Sequence, residues 1–384
     1  MNDWGKYRLG DLIKVRHGFA FAGDQMTDQL TGAPIVVSIG NFSYTGGFRF
    51  GSTRVREFRG DYPEEFELDP DDLLVIMTCQ TEGGEILGIP ALVPDDGKVY
   101  LHNQRIGRVE CDESRLNKRF AYYLFLSSDV NRQLFNTASG TKILHTSPSR
   151  ISEVQVVVPD LRDQCNIAKA LGALDDKIAV NERIAATALH LGKALYRRAA
   201  ESSRESAALG DLIELKYGKA LPAARRESGP VPVFGSGGVS GSHNKSLVPG
   251  PGVVVGRKGT VGAVYWSQED FFPIDTTFYV SLKSPDFSME YVYFALQELG
   301  LEHMNSDSAV PGLNRANALA LRVETLAPER IASFTRRARQ LFDLKNRHEK
   351  ENGSLADLRD TLLPQLMSGK IRVRDAEKIV EDAV

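Results

Sequence analysis

The chain has 384 residues, 42% hydrophobic and 25% charged, with 47 Lys and Arg against 50 Asp and Glu for a formal net charge of −3. That length suits two domains with cores of their own, and the composition is that of a soluble folded protein, which excludes a disordered chain. The charge balance also excludes a strongly basic nucleic-acid binder, although the acidic cluster at residues 61–72 (DYPEEFELDPDD) leaves room for a basic face elsewhere in the same domain.

In chain order, the first phrase to note is Leu9-Gly-Asp-Leu-Ile13 with Gly18, because it returns two hundred positions later as Leu209-Gly-Asp-Leu-Ile213 with Gly218. Between them, short β-like runs fall at residues 34–39 (PIVVSI), 72–77 (DLLVIM), 90–93 (PALV) and 99–109. They are punctuated by Gly and Asp-Gly turns and followed by a helical pattern over 119–135. Residues 144–159 (LHTSPSRISEVQVVVP) then lead into a long helical stripe of Ile167, Leu171, Leu174 and Ile178, continued after a phase shift near Asn181 by Ile184, Ala188, Leu191 and Leu195.

The second half repeats the plan. β-like runs at 231–234, 253–255, 262–266 and 277–282 and a helix over 289–300 precede residues 313–328 (LNRANALALRVETLAP). These match 144–159 and open a second long helix with Leu341, Leu344, His348, Glu351, Leu355, Leu358 and Leu362 in heptad spacing. Each helix starts at a proline, a residue suited to the first helical turn. About 40 residues in each gives rods near 60 Å at roughly 1.5 Å per residue. Gly172, Gly192 and Gly353 each cost roughly 1 kcal/mol of helix propensity, so packing against a partner must compensate.

The fold expected is therefore α+β. Two pseudo-repeated globules, 1–158 and 205–327, are separated by two long helices, 159–204 and 328–371, that form an antiparallel coiled coil. A charged, poorly packed tail, 372–384, follows. Leu stripes seal the helix pair, His348 and Glu351 form a polar layer that either sets its register or is a tolerated defect, and Tyr196 and Phe342 lie off the seam as exposed docking residues.

No apolar run approaches the roughly 18 residues of a membrane span, and the first residues lack the apolar core of a signal peptide, so the expected location is the cytoplasm, away from membranes. Cys79, Cys111 and Cys165 are too few and too scattered for a disulfide framework or a zinc site, and the seven histidines show no metal-ligand spacing. No metal or cofactor is expected.

Several phrases carry a family resemblance. Pro232-Val-Phe-Gly-Ser-Gly-Gly238, the run from Gly250 to Gly262 (GPGVVVGRKGTVG), Pro273-Ile-Asp-Thr-Thr-Phe-Tyr-Val280 and the ending Leu362-Leu-Pro-Gln-Leu-Met-Ser-Gly-Lys370 resemble those of the specificity (S) subunit of Type I restriction-modification systems. The resemblance covers nearly the whole chain, although the first globule lacks the full glycine phrase. It implies that the two globules are target-recognition domains on spacer helices. It also implies a subunit without catalysis of its own that reads a two-part double-stranded DNA site, with methylation supplied by adenine methyltransferase (modification) subunits and cleavage by helicase-nuclease (restriction) subunits docked along the helices.

Residue chemistry agrees. Base edges are read by Arg, Lys, Asn, Gln, His and Ser on loops, whereas phosphate contacts only position. In the second globule ten glycines between Gly229 and Gly262 surround His243, Asn244, Lys245, Arg257 and Lys258, and Arg315 follows beside Asn314. In the first, Gln104 and Arg105 follow His102 and Asn103, and Thr141 and Lys142 stand in Ser139-Gly-Thr-Lys142. These are the DNA-binding candidates, and the alternative for each is a solvated loop or a satisfied core polar group.

Two rival readings stand beside this one. Asp71, Asp96 and Lys98 echo a metal-dependent nuclease, although Asp96-Gly97 also signals a hairpin turn. The near-neutral charge suits an assembly scaffold that binds no DNA. The run Gly252-Val-Val-Val-Gly-Arg-Lys258 fails the spacing of a phosphate-binding Walker loop.

Overall fold

The computed structural model describes residues 4–81, 83–201, 205–304 and 312–384; the last positions expected in the first spacer helix, 202–204, lie outside them. The chain forms two units, residues 1–178 with 354–384 and residues 179–353. The division falls inside both long helices, Leu161–Glu201 (the central helix) and Pro328–Met367 (the distal helix).

The first unit is built on a four-stranded antiparallel sheet in the order Ile13–His17, Ile106–Cys111, Leu73–Ile76, Pro90–Leu92. Leu73–Ile76 is buried at every position, the pattern of a strand covered on both faces. The second unit repeats this order with Ile213–Tyr217, Thr277–Leu282, Gly252–Gly256 and Val264–Ser267. In each case the first and last segments of the globule close as a ribbon, Gly5–Arg8 on Gln155–Val158 and Glu205–Ala208 on Arg322–Thr325. The repeat read in the sequence is thus a repeat of topology.

Several local expectations shift. The run 99–109 divides into Tyr100–Leu101 and Ile106–Cys111 around a turn at Asn103. The helix over 119–135 is two helices, Lys118–Leu126 and Ser128–Thr137. They break at Ser127, which is extended (φ −68, ψ 139) and caps the second through its side chain. Gly238–His243, read as glycine loop, is a strand paired with Val231–Gly235.

In the second unit the two helices run antiparallel: Asn181 meets Glu351 and Asn352, while Tyr196 meets Phe334. The phase shift at Asn181 is a buried polar layer. The side chain is 1% exposed and donates to Glu351 Oε2 at 3.0 Å and Asn352 Oδ1 at 2.8 Å, and His348 Nδ1 lies 3.3 Å from Glu351. Gly192 has a packing reason, since a Cβ there would sit 2.4 Å from the Phe294 ring.

Tyr196 and Phe342 are not exposed docking residues: they are 4% and 2% exposed, and Phe342 stacks on Trp266 at 4.0 Å. The globule covers that face of the helices, so seam positions elsewhere open instead, with Leu191 49% exposed. In the first unit the helix segments share one core through Ile167, Leu171 and Leu174 and through Leu355, Leu362 and Leu366. A buried ion pair, Arg359 to Asp175 at 2.8 Å, joins them. Residues 372–384 are not a loose end either. Val373–Glu381 is an amphipathic helix whose Ala376 and Val380 bury into this core, the charged residues occupying its outer face.

Candidate nucleic-acid interface

In the second unit, strand Ile213–Tyr217 ends at Gly218, where a Cβ would meet Ile274 O at 2.2 Å; only glycine lets the chain pass that close. The equivalent Gly18 lies as tightly against Asn103 O, which explains why this glycine recurs. Just before the turn, the Tyr217 ring projects outward, 53% exposed, with its inner side 5.0 Å from Phe278.

Strand Gly252–Gly256 delivers Arg257 and Lys258 to the same end. Their N–H groups both donate to Thr276 O, and Arg257 O accepts from Leu313 N at 2.9 Å, which ties the segment to the start of helix Arg315–Ala320. That helix is capped by Asn314, whose Oδ1 accepts from Ala316 and Asn317 N–H, so Asn314 is occupied as a cap.

Arg257 and Arg315, 58 residues apart, are thereby brought to one ring. Their guanidinium carbons lie 5.3 and 5.6 Å from the Tyr217 centroid. Each spends one donor on a backbone carbonyl, Arg257 on Asp275 O at 2.6 Å and Arg315 on Leu215 O at 3.4 Å, and Arg257 Nε is buried without a partner. Lys258 is exposed and bridges to Gly312. None of these three cations has a carboxylate partner among the described residues, and Lys258 and Arg315 are exposed, where positive charge attracts anions.

The remaining candidates of this globule stand apart from the cluster. His243 is 7% exposed, its Nδ1 accepts from Glu227 N at 3.1 Å and its ring meets Phe272 edge-on, so its role is packing, contrary to the expectation of a displayed side chain. Asn244 donates to Glu227 Oε2 at 2.5 Å; Lys245 is exposed.

In the first unit, Gln104 and Arg105 are exposed on a turn braced by Gln104 N to Phe19 O and Met77 N to Arg105 O. They line a groove of about 650 Å³ with Asn103, Arg49, Arg54, Arg56, Gln80 and Thr81. Arg54 grips Asp28 and holds its carboxyl below the usual value. Thr141 and Lys142 are exposed beside Gly140 (φ +111) but do not line that groove. His102 is 2% exposed, its Nε2 hydrogen-bonded to Ile106 O at 2.8 Å, and burial pushes its pKa down to about 4.

The nuclease pattern does not assemble. Asp71 pairs with Lys118 at 2.8 Å, and Asp96 pairs with Lys98 at 2.6 Å while accepting from the Tyr100 hydroxyl. Among the described residues no three His, Cys, Asp or Glu gather as a metal site. The signal that sequence reasoning missed is Tyr217, legible only as the residue before the repeated glycine.

Comparison with known proteins places this arrangement. The profile of the Type I restriction modification DNA specificity domain matches residues 1–189 and 202–322. The Type I restriction enzyme EcoBI specificity subunit of Escherichia coli is 26% identical over 177 residues, 45% of this chain and 32% of that protein. The MjaVIII specificity subunit of Methanocaldococcus jannaschii is 21% identical over 183 residues, 47% of this chain and 41% of that protein. These alignments therefore span less than half of either relative. The crystal structure of a Type-I restriction-modification system S subunit from M. genitalium superposes with a TM-score of 0.57 at 19% identity, covering 95% of this chain and 96% of that one, a likeness of fold.

Proposed function

Since this chain belongs to the Type I restriction-modification DNA specificity family, we propose that it is a non-catalytic, cytoplasmic specificity subunit reading a bipartite double-stranded DNA target, one half-site per globule. The observation that carries this reading is the convergence of Arg257 and Arg315 on an exposed aromatic ring, with Lys258 next in the chain and none of the three ion-paired among the described residues. Cations beside a ring suit a polyanion whose grooves expose base edges.

In the second globule Arg257, Lys258 and Arg315 meet DNA, with Asn244 and Lys245 as outlying contacts. In the first, Gln104 and Arg105 read from the groove, and Thr141 and Lys142 contact the backbone nearby. His243 is left out because it is buried. The domain limits 1–158, 159–204, 205–327 and 328–371 are proposed as the functional divisions.

Adenine methyltransferase and restriction subunits dock along the helices. In the second unit a groove of about 460 Å³ lined by Val180, Ile184, Leu191, Leu341 and Leu344 offers the apolar stripe such docking needs. The test is co-expression with an adenine methyltransferase encoded beside the gene, followed by mapping of methylated adenines. A two-part motif with a fixed gap, present only with this chain, is the expected result; methylation indifferent to the chain refutes the reading and favours a scaffold.

A further inference from the structure

We propose that Tyr217 contacts bases and sets sequence preference in the half-site read by the second globule, an assignment that rests on the DNA-reading function above. The ring is half exposed at a strand end, whereas its neighbour Phe278 is 1% exposed; the core needs the second and leaves the first free. Arg257 and Arg315 flank it and are themselves braced by the carbonyls of Asp275 and Leu215, so the ring is held by groups whose position is set by backbone.

The division of labour follows from chemistry. The two guanidiniums and Lys258 gain from phosphate, which carries no sequence information, and can also reach a guanine edge. Apart from its hydroxyl, which can reach a phosphate oxygen, a neutral ring gains from the base edges and thymine methyl groups that a duplex groove exposes.

The duplication supplies a second observation. In the first globule the strand Ile13–His17 ends before Gly18 just as Ile213–Tyr217 ends before Gly218. The two copies keep the glycine that positions the residue and change the residue itself, His17 against Tyr217, both exposed. A position held at equivalent strand ends yet filled by different side chains is what two different half-sites require.

The experiment uses the full chain with its methyltransferase subunit. Wild type, Tyr217→Ala and Tyr217→Leu are compared by methylated-adenine mapping and by binding to DNA variants carrying each base at each position of both half-sites. Discrimination at one position of the second half-site should fall about tenfold, with the first half-site unchanged and thermal unfolding unaltered. Preference intact at every position, or weakening equal on all sequences, overturns the assignment; the latter marks Tyr217 as a support for its arginines. Absence of any two-part motif with the wild-type chain is the separate failure of the DNA-reading function, and this assignment falls with it.

Discussion

The two units share a strand order and differ in how each globule is joined to its helix segments. In the first a polar cluster crosses the apolar junction. The Tyr123 hydroxyl donates to Asp175 at 2.6 Å, Asp175 holds the 7% exposed Arg359, and Arg119 reaches Asp176 at 3.5 Å. In the second aromatic rings dominate, Phe342 lying under Trp266, Tyr293 and Phe294 and Tyr196 meeting Tyr291 and Phe334, with ion pairs such as Arg339 to Glu290 beside them. Duplication preserved backbone pairing, which tolerates many side chains, and let the junction chemistry diverge. Both units carry ion-paired surface cations, such as Lys98 and Lys118 in the first and Lys193 and Arg339 in the second, and among the described residues Arg257, Lys258 and Arg315 have no such partner.

Removing the aromatic anchor should have the largest effect. Phe342→Ala should cost about 4 kcal/mol of stability, read as a fall in denaturant midpoint, with faster hydrogen exchange confined to residues 179–353. Loss spread evenly over both units would break the comparison.

The polar junction comes next. Arg359→Ala leaves Asp175 half-buried without its cation and should cost about 3 kcal/mol, with faster exchange confined to the first unit. Replacing Arg359 and Asp175 together with apolar residues should recover much of that loss, because an unpaired buried charge costs more than no charge.

The first unit should also be the more acid-sensitive. His102 titrates near 6.5 when unfolded and about 4 when folded, so below pH 6.5 the unfolded chain binds the proton that the fold excludes. Stability should fall as the pH drops from about 6.5 to 4, by up to about 3 kcal/mol at 1.36 kcal/mol per unit. His102→Gln should flatten that part of the pH profile measured by denaturant titration.

The smallest effect sharpens the difference in charge. Lys258→Ala should weaken DNA binding by the complex alike on all sequences and reduce the slope of log affinity against log salt by about one. Substituting the paired Lys98 by Ala should leave both unchanged.

The sequence was most legible where periodicity and repetition act together. The duplicated Leu-Gly-Asp-Leu-Ile phrase marked equivalent strands, and the heptads marked helices that proved to be 41 and 40 residues long. It was least legible where exposure depends on what else arrives. Tyr196 and Phe342 carry the same apolar character as Leu191, yet the globule covers the first two and leaves the third open. His243 and Lys245 are two positions apart in one glycine-rich run, yet His243 ends a paired strand and is buried while Lys245 lies beyond the strand and is exposed.

By itself the sequence determined that there are two copies of one α+β plan joined by long helices, because hydrophobic period and recurrent glycines are local properties that any chain with these residues must satisfy. Tertiary structure alone decided which residues face outward together. Arg257 and Arg315 meet at Tyr217 because Leu313 N–H bonds Arg257 O and Gly218 turns against Ile274. Such contacts join residues far apart in the chain, and no local pattern encodes them.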